Sequence, residues 1–150
     1  MTTRSDEPGE PPVPLPALLT QAKDLTIEQL HRRLDEEGFQ GIRFRHGSVF
    51  RFVGPGGSRL TALAEASGFS KQAIGEAVDE LERLGYAERT ADPDDRRAKI
   101  IRLTERGVEG QLAGARILKD IERMWARHLG QDQIALLRRA LEEIIARHGE

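Results

Sequence analysis

Apolar residues return at helical spacing through most of the chain, and the interruptions mark the joints between elements. Leu18, Leu19, Ala22, Leu30 and Leu34 recur at near-helical intervals up to Gly38, which predicts one long helix over about 17–38. Thr26-Ile27-Glu28-Gln29 has the form of a capping box, so two shorter helices are the alternative there. A short helix carrying Val49, Phe50 and Val53 inward follows, until Gly54-Pro55-Gly56-Gly57 breaks it. From Leu60 to Ser67 and from Ser70 to Leu84 the pattern is that of two helices about a tight turn. Gly68 can take the left-handed conformation that ends the first, and Ser70 is a good N-cap for the second. In that second helix Ile74, Val78 and Leu81 form one buried stripe, with Lys71, Gln72, Gly75, Glu76 and Asp79 opposite.

The periodicity then changes. Two β-prone runs, Tyr86 to Ala91 and Lys99 to Leu103, flank Asp92-Pro93-Asp94-Asp95-Arg96-Arg97, where Pro and Asp favour a turn, so the segment reads as a hairpin with a charged tip. Thr104 caps a long helix in which Val108, Leu112, Ala115, Leu118, Ile121 and Trp125 repeat every three or four residues. After Gly130 a last helix continues through Ile134, Leu137, Leu141 and Ile144. Five of the seven prolines fall within residues 1–16 among acidic residues, which predicts a disordered lead-in.

The order helix, tight turn, helix, hairpin is that of a winged helix-turn-helix, a module that places its second helix in the DNA major groove. The expected fold is mainly α with a small β-hairpin wing. One domain spans 17–150, with the winged module at about 54–103 and flanking helices at about 17–38 and 104–148. The two C-terminal helices carry more apolar surface than so small a module can cover, which points to a second subunit; folding back onto their own monomer is the alternative.

Composition narrows the chemistry. One domain of 150 residues leaves no room for a catalytic domain beside a recognition domain. The absence of cysteine excludes disulfides, thiolate metal sites and thiol redox sensing, and fits a reducing compartment. No apolar run is long enough to span a membrane, and the acidic N-terminus does not resemble a secretory signal, so the expected location is cytoplasmic. His31, His46, His128 and His148 have no paired ligand spacing, and Asp92, Asp94 and Asp95 suit a turn better than a cation loop, so no metal is expected. Gly54-Pro55-Gly56-Gly57 lacks the lysine and serine of a phosphate loop, and no nucleophile motif is present, so neither catalysis nor a cofactor is expected. From Gly54 to Thr104 eight basic residues face nine acidic ones, and DNA binding therefore requires that positive charge be sorted onto one face.

The residues that specify this module resemble the multiple-antibiotic-resistance regulators (MarR family) of bacteria. The likeness runs through Leu60-Thr61-Ala62-Leu63-Ala64, Ser70-Lys71-Gln72 and Val78-Asp79-Glu80-Leu81-Glu82-Arg83-Leu84-Gly85-Tyr86-Ala87-Glu88-Arg89. It closes with Asp92-Pro93-Asp94-Asp95-Arg96-Arg97-Ala98-Lys99 and Leu103-Thr104-Glu105-Arg106-Gly107. The Asp-x-Arg wing followed by Leu-Thr-x-x-Gly is the specific part, whereas the flanking helices match only in number, length and order. The resemblance implies a homodimer joined by its terminal helices, reading a near-palindromic operator on double-stranded DNA. It implies a repressor relieved by a ligand. The apolar positions offered to dimerisation are Leu18, Leu19, Leu118, Ile121, Ile134, Leu137, Leu141 and Ile144.

Site roles follow from side-chain chemistry. Ser70, Lys71, Gln72 and Ala73 occupy the first turn of the second helix, where backbone amides favour phosphate and side chains reach base edges. Gln72 suits an adenine edge, Lys71 guanine or phosphate, and Ala73 a thymine methyl. Glu76 and the preceding Gly75 stand where many relatives have arginine after a small polar residue, so Glu76 either accepts from a cytosine amino group or repels phosphate. Arg97, with Arg96, is carried by the wing tip toward the minor groove, and in the family the preceding acid, here Asp95, helps hold it; a simple turn ion pair between Asp95 and Arg97 is the alternative. Arg59, Arg89 and Lys99 are weaker phosphate candidates, with Thr61 beside them, and Arg83 and Arg102 read as solvated or structural.

Relatives often bind small aromatic or anionic effectors between the dimer helices and the winged module. The residues offered here are Arg43, Phe44, Arg45, His46, Phe50 and Trp125, although Phe50 and Trp125 are more simply read as core. The competing function is a winged-helix module turned to protein–protein interaction, favoured by the acidic balance and Glu76. An enzyme fragment is discounted, because 104–150 reads as two helices and not as a cofactor-binding region. The arginines of the wing tip favour DNA.

Overall fold

The computed structural model describes residues 11–149, so most of the proline-rich lead-in lies outside the described residues. Helix α1 (Leu15–Glu36) is a single helix that starts at the N-cap Pro14, with Pro16 in its first turn where a missing N–H is tolerated. The helix thus begins two residues before the sequence placed it. A 3₁₀ turn (Phe44–His46), not foreseen in the sequence, leads into α2 (Gly47–Phe52).

The winged module follows in the expected order. A two-residue strand β1 (Ser58–Arg59) precedes α3 (Leu60–Ser67) and α4 (Lys71–Arg83), and the wing is β2 (Ala87–Ala91) with β3 (Lys99–Leu103). The hairpin pairs Ala87 with Leu103 through Ala91 with Lys99, and β1 adds to the other edge of β3 with Ser58 opposite Ile101, giving the sheet order β1-β3-β2. The third strand is too short to leave a periodicity in the sequence. Gly57 allows it: its φ is +101°, and a Cβ there would strike the Ile100 side chain.

Helices α5 (Glu105–Leu129) and α6 (Gln131–Ala146) complete the chain. Thr104 builds the joint to the wing. Its Oγ1 accepts the Gly107 N–H at 3.1 Å and donates to the Gly85 carbonyl at 2.6 Å, while its N–H donates to the Tyr86 carbonyl at 3.0 Å. Gly107 packs against that same carbonyl so closely that a Cβ would collide with it, which explains the glycine of the Leu-Thr-x-x-Gly sequence.

One core gathers these elements: Leu34 from α1, Val49 from α2, Leu63 from α3, Ile74, Val78 and Leu81 from α4, Ile101 from β3, and Ile117 and Ile121 from α5. Tyr86 lies within it, its ring edge-on to Phe50 and its hydroxyl donating to the Gln40 carbonyl at 2.7 Å. The α5 stripe read from the sequence is therefore divided. Gly110, Ala113, Ile117 and Ile121 face the core of this chain, whereas Val108, Leu112 and Leu118 of the predicted stripe are exposed. Two apolar faces share one helix, and periodicity alone does not say which one the chain buries itself.

Candidate nucleic-acid interface

The turn between α3 and α4 decides what α4 exposes. Gly68 closes α3 at φ +75°, where a Cβ would meet nothing, so glycine is needed for backbone conformation rather than for space. Ser70 then caps α4, its Oγ accepting the Ala73 N–H at 3.1 Å. With Ile74, Ala77, Val78 and Leu81 buried, Lys71, Gln72, Ala73 and Glu76 face solvent, and Thr61 is exposed at the start of α3. The first turn of α4 thus combines free amide dipole with unobstructed side chains. Gln72 Nε2 donates to Glu76 Oε1 at 3.4 Å.

The wing tip is organised by two aspartates. Asp92 is almost fully buried: Oδ1 accepts the Asp94 N–H at 2.9 Å, and Oδ2 accepts Nε and Nη2 of Arg59 at 2.8 and 2.6 Å. The Asp94 amide foremost, then the Arg59 guanidinium, hold the Asp92 carboxyl below the ordinary aspartate range. Asp95 acts one step further on, accepting the Arg97 backbone N–H at 3.0 Å. Asp95 thus holds the Arg97 backbone, and the alternative, an ion pair between the two side chains, is not found among the described residues. Arg96 and Arg97 are exposed at the tip.

Charge in the module is sorted by ion pairing. Arg89 reaches from β2 to Asp79 at 2.8 Å and to Glu82, both on α4; Arg45 holds Glu80 at 2.6 Å; Arg102 faces Glu88 at 3.7 Å; and Arg59 holds Asp92. Five of the nine acids of the module are engaged this way. Among the described residues Lys71, Arg96, Arg97 and Lys99 keep their charges free of such pairs. Arg59 and Arg89 therefore change role, from phosphate candidates to braces, Arg59 between β1 and the wing and Arg89 between the wing and α4. Arg59 remains half exposed.

The proposed effector residues are not brought to one cavity. His46 is sealed from solvent: its Nδ1 accepts the Arg43 N–H at 3.0 Å, so the neutral ring carries its proton on Nε2 and donates it to Glu80 Oε2 at 2.6 Å. Burial pushes the His46 pKa down, against the opposing pull of Glu80. The hydrogen bond from His46, then that from Arg45, holds the Glu80 carboxyl below its ordinary range. Phe50 belongs to the core beside Tyr86, Arg43 turns to Asp35 at 3.4 Å, and Phe44 is exposed beneath the Lys23 ammonium. Trp125 packs partly into the core and lines a different hollow with Ile134, Leu137, Arg138 and Leu141.

A cavity of about 630 Å³ instead lies between α1 and α5, lined by Gln29, Arg33, Arg123, Met124, Arg127 and Gln131 among others. Arg33 is tied there to Asp120 at 3.0 Å, and that bond foremost keeps the Asp120 carboxyl below its ordinary range. Sequence reading missed this cavity because its walls lie some ninety positions apart. It also missed Glu80 and Asp92, of which only Asp92 left a signal, as the first residue of an Asp-Pro-Asp-Asp turn.

The residues assigned to dimerisation are mostly available. Leu18, Leu19, Leu118, Leu137 and Ile144 are exposed, and Ile134 and Leu141 are half-buried. Ile121 is the exception: it is 1% exposed and belongs to the core of its own chain. Helix α6 has no buried residue, although Leu136, Leu137, Ile144 and Ile145 all lie on it. No helix among the described residues is long and apolar enough to cross a membrane, and none of their histidine and acid side chains cluster as a metal site would need.

Known proteins place this architecture. No curated protein matches the chain in sequence. The MarR family model matches residues 40–98, the stretch from before α2 to the wing tip. Among solved structures, apo wild-type MarR from E. coli is 19% identical, covers 89% of this chain and 98% of its own, and superposes with a TM-score of 0.65. Streptococcus pneumoniae FabT, solved in complex with DNA, is 17% identical over 88% of this chain and 93% of its own, with a TM-score of 0.73. CouR from Rhodococcus jostii RHA1, solved with bound p-coumaroyl-CoA, is 26% identical over 89% of this chain and 92% of its own, with a TM-score of 0.64. The MarR family model thus falls on the winged helix-turn-helix of this chain, and the chain as a whole shares the mainly helical fold of these solved structures.

Proposed function

We propose that this protein is a sequence-specific DNA-binding transcriptional regulator that works as a homodimer on a pseudo-palindromic operator in the bacterial cytoplasm. One observation carries the reading: a single module presents both the open first turn of α4 and an arginine-tipped wing, while most of its acids are already paired with other arginines. Lys71, Gln72 and Ala73 then meet major-groove edges, Arg96 and Arg97 enter the adjacent minor groove, and Lys99 contacts phosphate. The DNA complex of FabT supports this geometry by likeness of fold. Two such modules in one dimer require half-sites about one helical turn, ~34–36 Å, or a multiple of it apart.

The same reading makes the protein a repressor relieved by a small anionic or aromatic effector. Its support is the arginine-lined cavity between α1 and α5, whose Arg123 and Arg127 suit a carboxylate or phosphate and whose Met124 supplies an apolar wall. The bound p-coumaroyl-CoA of CouR is an aromatic anion of this class.

Fluorescence anisotropy on DNA enriched by repeated selection, with random duplex as control across a salt series, tests the proposal. The expected result is a specific site bound about a thousandfold tighter than random DNA, with binding that weakens steeply as salt rises. Failure of any sequence to be enriched, with only weak low-salt binding to random duplex, would overturn it and hand the module to a protein partner.

A further inference from the structure

We propose that His46 is a proton-operated latch: its neutral ring fastens the strap 37–46, between α1 and α2, to α4, and protonation frees the strap and releases the operator. This deepens the DNA-binding reading by giving it a means of control, and it rests on that reading.

The strap is fastened at both ends. At the first, the Tyr86 hydroxyl donates to the Gln40 carbonyl at 2.7 Å, and Gly41 lies so close to α4 that a Cβ there would come within 2.8 Å of Leu84 Cδ2. Neither contact responds to pH near neutrality, since one is apolar and burial pushes the Tyr86 hydroxyl further up. At the second end His46 donates to Glu80 at 2.6 Å. Arg45 reaches the same carboxylate at 2.6 Å, but it belongs to the same three-residue turn as His46 and moves with it. One end of the strap is therefore permanent, and the other depends on an imidazole.

That ring has no place for a second proton. The turn closes on itself twice, the Arg43 carbonyl accepting the His46 N–H at 2.9 Å and His46 Nδ1 accepting the Arg43 N–H at 3.0 Å. Protonating Nδ1 sets donor against donor, in a side chain that is fully buried. The groups facing the ring are Arg43 and Arg45 from its own segment, Glu80 from α4, and His31 from α1, whose Nε2 is buried without a partner. Asp35 of α1 is drawn off by Arg43 at 3.4 Å. Glu80 alone favours the charged ring, and Arg45 already shares it. Burial foremost, then the arginines, hold the His46 pKa below 6.5, so the latch is whole above that pH and opens as pH falls through the lowered value. Protons have a route in, because the Glu80 side chain is 27% exposed at the edge of the cluster.

Glu80 and Gln72 lie on one unbroken helix, about 12 Å apart along its axis. Freeing the strap loosens α4 against the side of the molecule that α1 forms, so two modules no longer hold their first turns at a fixed separation. Specific binding then weakens, while Lys71, Arg96, Arg97 and Lys99 remain for phosphate. The direction is diagnostic: acid adds positive charge to the exposed His128 and His148, which by itself tightens binding to DNA.

The test measures anisotropy on the selected operator and on random duplex from about pH 8 to about pH 5.5 at constant ionic strength. Wild type should lose about tenfold or more on the operator, the change one group gives per unit that its pKa differs between bound and free protein. Random duplex should bind as well or better. His46→Gln, whose amide offers an oxygen to the Arg43 N–H and an N–H to Glu80, should stay latched and lose less than about twofold. His31→Gln should lose as wild type does. By reciprocity the operator must lower the His46 pKa by about one unit, which the Cε1–H resonance of wild type reports by NMR even if His46→Gln fails to fold. Equal losses in wild type and His46→Gln, no loss in wild type, or the same His46 titration with and without operator would each overturn the latch. A wild type that binds no operator even at about pH 8 fails the regulator reading and takes operator release with it, whereas failure of the latch alone leaves a tightly bound operator at that pH.

Discussion

The imidazole of His46 and the carboxylate of Glu80 meet at 2.6 Å across 34 residues, and the ring is sealed from solvent. The bond ties the turn before α2 to α4. Its polarity is set from the other side, since the Arg43 N–H occupies Nδ1 and leaves Nε2 to donate. Protonation would place a second N–H against that amide, among the charges of Arg43 and Arg45.

Stability should therefore depend on pH through His46. Its pKa in the folded chain is below the ordinary 6.5, so the unfolded chain takes up the proton first. Stability should be level above about pH 6.5 and fall as pH drops from there toward the folded value. His31, also lowered chiefly by burial, acts in the same direction. Glu80 and Asp92, whose folded values are depressed, add a loss only at lower pH, as it falls through those values. Urea melts from pH 8 to 5 on wild type and His46→Gln check this: the variant should be less stable at pH 8 but show a shallower slope. An equal slope in the two proteins would remove His46 as the cause.

The Arg59–Asp92 fork makes a second prediction. Asp92→Asn keeps the acceptor for the Asp94 amide but loses the charge that orients Arg59, so the base of the wing loosens. The melting temperature should fall, and operator affinity should drop about three- to tenfold, since removing one charge-assisted contact misplaces the wing arginines without removing them. Arg59→Lys should not rescue the fork, because an ammonium cannot reproduce its two parallel N–H donors. Anisotropy on the selected operator together with thermal melts separates the two effects.

What the sequence made legible was local. Gly68, Ser70, Thr104 and Gly107 announce their roles because each acts on backbone within a few positions, at a helix end or a turn. The hairpin was legible for the same reason. Contacts such as His46–Glu80 and Arg59–Asp92 join residues more than thirty positions apart, and nothing in the spacing of either pair records the other. Arg89 looked like a phosphate contact because an arginine near a wing is one by type; only the fold brings Asp79 and Glu82 against it. Ile121 and Leu118 sit three positions apart on α5, both at helical spacing, yet one faces the core and the other solvent. The helical period tells that a face is apolar and not what covers it.

The wing arginines should act on binding without acting on the fold. Arg96 and Arg97 are exposed and make no ion pair among the described residues, so Arg97→Ala should leave the melting temperature within about 1 °C. Specific affinity should fall about ten- to a hundredfold, with the salt dependence reduced by roughly one counterion. The loss should be greatest on operators with A·T-rich flanks, where the minor groove is narrow. A uniform loss on every flank would place Arg97 on phosphate alone.

Gly107→Ala should be among the most damaging substitutions in the chain. The added methyl would collide with the Tyr86 carbonyl, which is fixed by the Thr104 N–H on one side and the strand pairing of Ala87 on the other. The backbone has nowhere to move, so a cost of about 3 kcal/mol or more is expected in urea denaturation. Gly114→Ala is the control on the same helix. A Cβ there meets nothing, and stability should be unchanged or rise by a few tenths of a kcal/mol, up to about 1 kcal/mol.

The last prediction concerns α6, which buries none of its residues against its own chain. Ile144 is 64% exposed and Ile145 74%, on a helix that also exposes Leu136 and Leu137. A helix with this much exposed apolar surface is stable in water only when something covers it. If the cover is a second copy, the melting temperature should rise with protein concentration, because dimer and fold are then linked by mass action. Ile144→Glu would place an unpaired carboxylate in that contact, and the dimer dissociation constant should rise at least about a hundredfold by sedimentation equilibrium. Operator affinity should collapse with it, because each half-site is then bound alone, while binding to random duplex at low salt persists through the intact α4 and wing. Ile121→Val makes the opposite case. Its side chain is in the core of its own chain, so it should cost about 0.5–1.5 kcal/mol of stability and leave the dimer constant where it was.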